Sequence, residues 1–209
     1  MVISRGKFIT FEGCDGCGKT TQASMLAGHL RQSGYVVVET REPGGTTVGE
    51  KIRQILLDKS IPDLSHMSEL LLFTAARVEH VRTIIKPAIA KGEWVICDRF
   101  FDATLAYQGY GLGLDKKMVQ DLHKCCLGGF EPDLTVFLER DVAQGLENCR
   151  DPDRIEIRMD DFHKRVYEGY QDICLKNPDR VKKIRIKESI EDTQKAVQNL
   201  MVANFGVKL

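Results

Sequence analysis

The sequence lacks the features that mark a membrane-spanning, zinc-built or disulfide-linked protein. No stretch approaches the ~20 consecutive apolar residues of a membrane span, and no apolar signal segment precedes the first strand-like run. Its 7 cysteines are odd in number and scattered, so no disulfide framework is expected. The pair Cys14 and Cys17 has no second Cys or His pair at zinc-like spacing. We expect a cytoplasmic protein with reduced thiols and no structural metal.

An excess of charge of either sign is also missing. Lys plus Arg and Asp plus Glu both number 30, which leaves no overall field to attract nucleic acid or an anionic membrane. A chain of 209 residues, 43% of them hydrophobic, is long enough for one sizeable core and too short for two ordinary ones. We therefore expect one domain over residues 1–209, with no nucleic-acid or membrane partner, in which any anion site is local.

The most specific pattern present is a glycine-rich loop of the form G-x-x-x-x-G-K-[ST]. It comprises Gly13, Cys14, Asp15, Gly16, Cys17, Gly18, Lys19 and Thr20. A strand-like run precedes it and a helix-like run follows, so backbone N–H groups and the helix N-terminus can hold a polyanion. Lys19 is then expected to reach the β- and γ-phosphates of a nucleotide, and Thr20 to ligate Mg²⁺. The alternative, a turn that binds nothing, leaves this Lys-Thr pair unexplained.

Apolar runs typical of buried strands alternate along the chain with runs of helical periodicity. We predict strands at 7–12, 35–38, 94–98, 134–138 and 181–186, the second covered on both faces. We predict helices at 19–33, 48–57, from about 65 to 91 with a break at Pro87, 115–127, 141–149, around 162–173, and after a capping box at 189–192. Residues 41–45 and 109–113 are predicted loops. This alternation favours an α/β P-loop NTPase fold with a doubly wound, mostly parallel five-stranded sheet flanked by helices.

Charged residues cluster at the predicted strand ends, where open α/β sheets bind ligands. Asp98 ends the apolar strand 94–98, the pattern of an acid that lies beside a metal. Six arginines fall at loop edges or helix starts: Arg41, Arg53, Arg77, Arg99, Arg150 and Arg154. Such a cluster suits phosphoryl transfer, because guanidinium groups hold the oxygens over which charge spreads. The alternative, solvated surface arginines, suits the charged turn at 150–154 better than it suits Arg99.

Ordered blocks over nearly the whole chain carry a family resemblance. They are 11–21, 40–46, 73–77, 98–100, 106–109, 132–135 and 153–156. In these blocks the chain resembles the bacterial-type thymidylate kinases. The resemblance implies transfer of the γ-phosphoryl group of ATP, with Mg²⁺, to dTMP, which gives dTDP for dTTP synthesis. It also implies a homodimer and a mobile lid at about 148–156.

The resemblance assigns roles to individual residues. Phe73 would stack on the thymine, and Arg77, one helical turn later, would bind the base edge. ATP would be held by Gly13, Cys14, Asp15, Gly16, Cys17, Gly18, Lys19, Thr20 and Thr21, and the metal by Thr20 and Asp98. The acceptor would be held by Glu42, Arg53, Phe73, Arg77, Arg99, Thr104, Tyr107 and Gln108. The catalytic set would be Lys19, Arg99, Arg150, Arg154 and Asp15.

Three of these roles are more specific. Arg53 and Arg99 would hold the acceptor phosphate, Asp15 would meet the 3′-hydroxyl region, and Tyr107 would crowd the 2′ position. For Phe73 and Tyr107 the alternative is simple core packing. Gly16 stands where some family members have an arginine, and Arg150 and Arg154 fit the members that carry arginines in the lid. No general base is expected, since a phosphate monoester with a second pKa near ~6 is mostly dianionic at neutral pH.

Two other functions stay open at this point. One is a different small nucleotide or metabolite kinase on the same core, which Phe73, Arg77 and Tyr107 argue against. The other is a nucleotide-binding switch module, although no Asn-Lys-x-Asp guanine motif occurs in the sequence. A further hypothesis concerns Cys14 and Cys17, whose thiols would be activated by the nearby helix N-terminus and lysine and would oxidise to a disulfide that blocks ATP.

Overall fold

The computed structural model describes residues 5–147 and 151–209. Strands and helices alternate along it as the sequence predicts. In chain order they are β1 Phe8–Glu12, α1 Lys19–Gln32, β2 Val37–Arg41, α2 Thr47–Leu57, α3 His66–His80, a π-helical segment Val81–Ile85, α4 Lys86–Ala90, β3 Trp94–Asp98, α5 Phe101–Thr104, a second π-helical segment Leu105–Gly111, α6 Lys116–Leu127, β4 Leu134–Glu139, α7 Val142–Leu146, α8 Asp160–Lys176, β5 Val181–Arg185 and α9 Ile190–Phe205. Within the described ranges, no helix is long and apolar enough to cross a membrane.

The strands form a parallel sheet in the order β2-β3-β1-β4-β5. β1 lies in the centre, between β3 and β4. The chain reverses its direction of travel across the sheet on the two sides of β1, so the loops after β1 and β3 open a crevice at the carboxyl edge. The predicted parallel, doubly wound sheet is confirmed, and the glycine-rich loop leaves β1 at that crevice.

Alternation along the strands divides the core into two layers, one on each face of the sheet. Phe8 points into a layer with Val95, Phe137 and Tyr170. Ile9, the next residue, points into a layer formed mainly with α1 and α9, in which Leu26, Leu30, Val197 and Met201 are buried. Because both faces are covered, the central strands β1, β3 and β4 are buried along nearly their whole length. This arrangement fixes the positions of the strand ends at which the functional loops begin.

The prediction for the second strand is wrong in position and in environment. β2 runs over Val37–Arg41, and it is an edge strand with partly exposed side chains. Val36 is 65% exposed and precedes the strand. The β-branched run signals extended backbone but carries no information on whether a further strand lies beside it. The shift places Arg41 at the end of the strand and Glu42 directly after it.

The predicted loop at 109–113 is also wrong over its first part. α5 continues into the π-helical segment Leu105–Gly111, which packs on α8. At Gly111 a Cβ atom would lie 2.5 Å from the Phe162 ring, so glycine here permits close packing rather than a turn. At Pro87 the sequence predicts a kink or a separate last turn, and the structure has a separate short helix: α3 ends at His80, the π-helical segment follows, and α4 begins at Lys86 with Pro87 in its first turn, where a missing N–H is tolerated.

The predicted helix 141–149 and the predicted lid lie only partly within the described residues. α7 is Val142–Leu146, and the Asp141 side chain accepts a hydrogen bond from the Gln144 N–H at its start. Arg150 and Cys149 lie outside the described residues. Residues 151–159 form a turn-rich segment that leads into α8. We call this the 151–159 segment.

Candidate active site

The glycine-rich loop depends on three glycines that no residue with a side chain could replace without strain. Gly13, Gly16 and Gly18 have φ of 145°, 67° and 87°, a region that other residues rarely adopt. At Gly16 a Cβ atom would lie 1.8 Å from the Gly145 carbonyl oxygen of α7. The loop therefore packs directly on the helix that precedes the predicted lid. An arginine side chain at Gly16 would require α7 to move.

Lys19 is buried beneath this loop. Its Nζ donates to the Cys14 carbonyl oxygen at 2.9 Å and contacts Cys17 Sγ at 3.7 Å. The lysine is thus held by the backbone and a side chain of the loop itself. Burial is also the largest influence on Cys14, and it raises the pKa of that thiol to about 12. The expectation that the helix N-terminus and Lys19 activate Cys14 is therefore wrong.

A hydroxyl and a carboxylate meet at the start of α1. Thr20 Oγ1 donates to Asp98 Oδ2 at 2.5 Å, and Asp98 Oδ1 is buried with no hydrogen-bond partner among the described residues. These are the hard oxygen ligands that Mg²⁺ prefers, and Mg²⁺ is commonly held by one or two carboxylates together with substrate phosphates. No cluster of three or more metal-ligating His, Cys, Asp or Glu side chains occurs in the described part of the chain. The residues present fit a Mg²⁺ ion held jointly with a nucleotide.

The backbone of Arg99 is strained just after β3. Its φ is 70°, a left-handed conformation that is unfavourable for a residue with a side chain. Two hydrogen bonds stabilise the turn: the Arg99 N–H donates to the Phe11 carbonyl at 2.9 Å, and the Phe100 N–H donates to Glu12 Oε1 at 2.7 Å. The turn directs the Arg99 side chain back over the glycine-rich loop.

The Arg99 guanidinium is the centre of a polar cluster above β1. It forms an ion pair with Asp15, and it donates to the Gly13 carbonyl at 3.1 Å, the Tyr107 hydroxyl at 3.1 Å and the Tyr170 hydroxyl at 3.3 Å. The Tyr107 hydroxyl in turn donates to Asp15 at 2.7 Å. Burial alone would raise the pKa of Asp15, but Arg99 and Lys19 outweigh it and lower the pKa. Asp15 is therefore a carboxylate.

A second buried cluster lies deeper in the same cavity. Glu42 accepts from Arg77 Nε at 2.7 Å and is 3.0 Å from His80 Nδ1, so both its oxygens are bonded to protein groups. Arg77 also donates to the Thr104 hydroxyl at 2.8 Å and to the Phe100 carbonyl at 3.2 Å. Glu42 was predicted to lie over the sugar and phosphate. Although it lines the cavity, its carboxylate holds Arg77 in place.

The walls of this cavity come from residues far apart in sequence. Phe73 is half-buried on α3 and lines the cavity one turn before Arg77. Tyr107 and Gln108 are neighbours in the π-helical segment, and both are buried and line the cavity. Arg53 lines the opposite side, where it donates to the Pro43 carbonyl at 3.0 Å. The structure thus brings the predicted acceptor residues into one cavity with Lys19, Thr20, Asp98 and Arg99.

Arg154, which was predicted to be catalytic, lies outside the cavity. Its side chain is 5% exposed and donates to Glu69 at 2.6 Å and to the Leu56 carbonyl at 2.8 Å. It is not among the residues that line the cavity, whereas its neighbours Asp153, Ile155 and Glu156 are. Arg150 lies outside the described residues. The role of either arginine at the phosphates stays a prediction.

Several residues of the site were missed from the sequence. Glu12 and Tyr170 support Arg99, and His80 supports Glu42. Glu69 binds Arg154 and Arg158. One signal was available: charged residues at the end of a buried strand, as at Glu12, or on the apolar face of a helix, as at Glu69, require partners when they are buried. No local sequence pattern identifies the partners of these buried charges.

Comparison with known proteins identifies the family of this site. A family model described as thymidylate kinase matches residues 11–197. The chain belongs to the thymidylate kinase family. It is similar to the thymidylate kinases of Exiguobacterium sibiricum, at 42% identity over 90% of this chain and 91% of the relative, and of Nitrosospira multiformis, at 45% identity over 97% and 100%. The crystal structure of thymidylate kinase from Ehrlichia chaffeensis superposes with a TM-score of 0.77 at 37% identity, over 94% of this chain and 98% of that one.

Proposed function

We propose that two cavities at the carboxyl edge of the sheet divide the reaction between a dTMP side and an ATP side. As a thymidylate kinase, the protein is a phosphotransferase that forms dTDP from dTMP and ATP. The cavity described above lies at the ends of β1, β2 and β3. A second cavity lies at the ends of β4 and β5, where Arg140, Asp141, Gln144, Arg185 and Lys187 are among its lining residues.

The arrangement of the first cavity is the observation that carries this proposal. It is lined by an aromatic ring at Phe73 and by three guanidinium groups: Arg77, one helical turn from Phe73, Arg99, which bonds to the glycine-rich loop at Gly13, and Arg53, which bonds to Pro43. A nucleoside monophosphate has the same order of groups: a flat base, then a sugar, then a dianion. We assign the base to Phe73 and Arg77 and the phosphate to Arg53 and Arg99. The ATP nucleoside then belongs to the second cavity, with its phosphates over Lys19.

Catalysis at this site requires positioning and charge stabilisation rather than a proton acceptor. The dTMP phosphate is largely dianionic at neutral pH and is itself the nucleophile. Lys19 and Arg99 supply fixed positive charge where negative charge develops, and they act from a site whose dipoles are already oriented. A Mg²⁺ ion held by Thr20 and Asp98 would neutralise phosphate charge when it is bound. Tyr107, packed under Arg99, closes the cavity beside the sugar.

The predicted lid arginines and the homodimer remain part of this proposal. For Arg154 to reach a phosphate it would have to leave Glu69, so a catalytic role requires movement of the 151–159 segment. Arg150 follows α7, which packs on the loop at Gly16. For the homodimer, Met67 and Leu71 on α3 offer exposed apolar surface, 41% and 49% accessible.

A panel of acceptors tests the proposed function. We expect ATP consumption with Mg²⁺ to be fastest with dTMP, slower with dUMP, and at background with AMP and CMP. Phe73→Ala should raise the KM for dTMP about tenfold or more through lost stacking. A preference for another monophosphate would instead support a different nucleotide kinase. Tight ATP binding without turnover on any acceptor would support a switch module.

A further inference from the structure

A third ionic cluster lies behind the wall of the acceptor cavity. Its centre is Glu69 on α3, which is fully buried. The Glu69 carboxylate accepts hydrogen bonds from Arg154 at 2.6 Å, from Arg158 at 2.6 and 3.2 Å, and from Gln108 at 2.9 Å. Three side chains from two other parts of the chain therefore converge on one carboxylate.

The charge of Glu69 is essential to this cluster. Burial alone would raise the pKa of Glu69, but its hydrogen bonds from Arg158 and Arg154 lower it. The two guanidinium groups would face each other without a counter-charge if Glu69 were neutral. A buried charge without a partner is strongly unfavourable. Neutralising Glu69 should therefore separate the arginines from α3.

Both arginines belong to the 151–159 segment, and the same segment forms part of the cavity wall. Asp153, Ile155 and Glu156 line the cavity, while Arg154 and Arg158 reach back to Glu69. Within the segment, Asp153 accepts from the N–H groups of Ile155 and Glu156 at 2.8 and 3.0 Å. These bonds hold the segment as one compact turn. Arg154 and Arg158 bond the segment to α3 at Glu69, and Arg154 also bonds it to the end of α2 at Leu56.

Glu69 also lies on the face of α3 that carries the base-binding residues. Glu69, Phe73 and Arg77 follow at intervals of four residues, which places them along one side of the helix. Gln108, the fourth member of the cluster, lines the cavity itself. One carboxylate thus connects the base-binding helix, the π-helical segment and the segment that closes the cavity.

We propose that Glu69 is a positioning residue for acceptor binding: it fastens the 151–159 segment to α3 through Arg154 and Arg158 and orients the Gln108 amide, so that dTMP meets a complete cavity wall. This inference rests on the assignment of the cavity to dTMP. Glu69 touches no substrate in this scheme, and the ATP side lies beyond β1. Loss of the Glu69 charge should therefore weaken the binding of dTMP and leave the binding of ATP unchanged.

The test is Glu69→Gln, which keeps the shape of the side chain and removes its charge. Glu79→Gln is the matched control, since Glu79 lies on the same helix and pairs with Arg82, which is 69% exposed. We expect Glu69→Gln to raise the KM for dTMP about tenfold or more, as the loss of charge-assisted hydrogen bonds predicts, with the KM for ATP within about threefold of wild type. A dTMP KM equal to that of Glu79→Gln would overturn the proposal.

Amide hydrogen exchange gives a second readout that does not need turnover. Exchange at Ile155, Glu156 and Arg158 should become faster in Glu69→Gln, while exchange in β1 and β3 stays at the wild-type rate. Faster exchange throughout the sheet would show a general structural role and would overturn the proposal. This measurement tests the fastening of the segment even if dTMP proves to be the wrong acceptor.

Arg158→Gln provides a second test of the proposal, which applies if Glu69→Gln does not fold. It leaves the Arg154–Glu69 ion pair in place and removes a side chain that is 18% exposed. We expect a shift in the dTMP KM in the same direction and about threefold in size, because one of two ion pairs is kept. An unchanged dTMP KM in this variant would also contradict the proposal.

Discussion

The glycine-rich loop and the acceptor cavity lie side by side but are built in different ways. The loop is contiguous, and its lysine bonds to the loop's own backbone at Cys14. The cavity is assembled from β2, α3, the turn after β3 and the π-helical segment, and a buried ion pair joins Arg77 of α3 to Glu42 directly after β2. The loop is therefore a local structure that a single strand–loop–helix unit can form. The cavity exists only when distant elements are packed together.

This difference predicts different responses to mutation. Arg77 and Glu42 have side chains 3% and 4% exposed, so removing one leaves the other charge buried, which typically costs about 3–5 kcal/mol. Lys19 has no carboxylate partner among its described contacts, only a carbonyl and a thiol. Variants of Lys19 should lose chemistry and keep the fold, whereas variants of the buried Arg77–Glu42 pair should lose both binding and stability.

The largest expected effect is on turnover in Lys19→Ala. Removing a donor aimed at the transferring phosphoryl group should lower kcat by about 10³-fold or more. The unfolding midpoint and the dTMP affinity should stay near wild type. Lys51→Ala, on the exposed side of α2, is the control and should retain full activity. Near-normal turnover in a folded Lys19→Ala protein would remove the loop from the mechanism.

Arg77→Met should show the opposite pattern. We expect a loss of about 3 kcal/mol in the free energy of unfolding, because Glu42 is left buried without its guanidinium partner, together with weaker dTMP binding. Arg82→Met, on an exposed pair of the same region, should change stability by less than about 1 kcal/mol.

A double-mutant cycle sharpens this prediction. Arg77→Met combined with Glu42→Gln should be less destabilising than the sum of the two single changes, by about 1–3 kcal/mol in urea unfolding. Strict additivity would show that the pair does not stabilise the cavity as a unit.

A smaller effect is expected where the two regions meet. The Tyr170 hydroxyl donates to Glu12 at 2.8 Å and accepts from Arg99, so Tyr170→Phe removes one support of Arg99. A net loss of about 1 kcal/mol corresponds to roughly fivefold in kcat/KM. Tyr167→Phe, which loses a hydroxyl bonded to Glu139 on the same helix, is the control. Equal effects in the two variants would count against this role of Tyr170.

A further expected effect is a pH dependence of stability that comes from Glu12. Burial, with Asp102 adding to it, raises the pKa of Glu12 to about 8 from its ordinary 4.5. Between these values the folded protein keeps a proton that the unfolded chain loses, so this contribution to stability falls as pH rises from about 4.5 to 8. Glu12→Gln should therefore gain stability relative to wild type as pH rises from 5 to 8. Parallel stability curves for the two proteins would contradict this assignment.

The sequence predicted best what depends on neighbouring residues. The strand–loop–helix at Lys19, the buried strand that ends at Asp98 and the helix cap at Ser189 all follow from local pattern. It failed at the edge strand β2, because a β-branched run has the same appearance in the centre and at the edge of a sheet. It failed again at Gly109 and Gly111, which lie in the π-helical segment and not in a loop; at Gly111 the glycine permits close packing on α8.

The sequence by itself determined the family and predicted the chemistry: a loop for phosphates, arginines for a second anion, and an aromatic residue and an arginine one helical turn apart on α3. Only the tertiary structure decided which buried charges pair. Glu42 binds Arg77 and His80, Glu69 binds Arg154 and Arg158, and the strained turn at Arg99 is held by Glu12. A buried charge must have a partner, but the partner is set by which elements the sheet order brings together, and residue spacing in the chain does not encode that order.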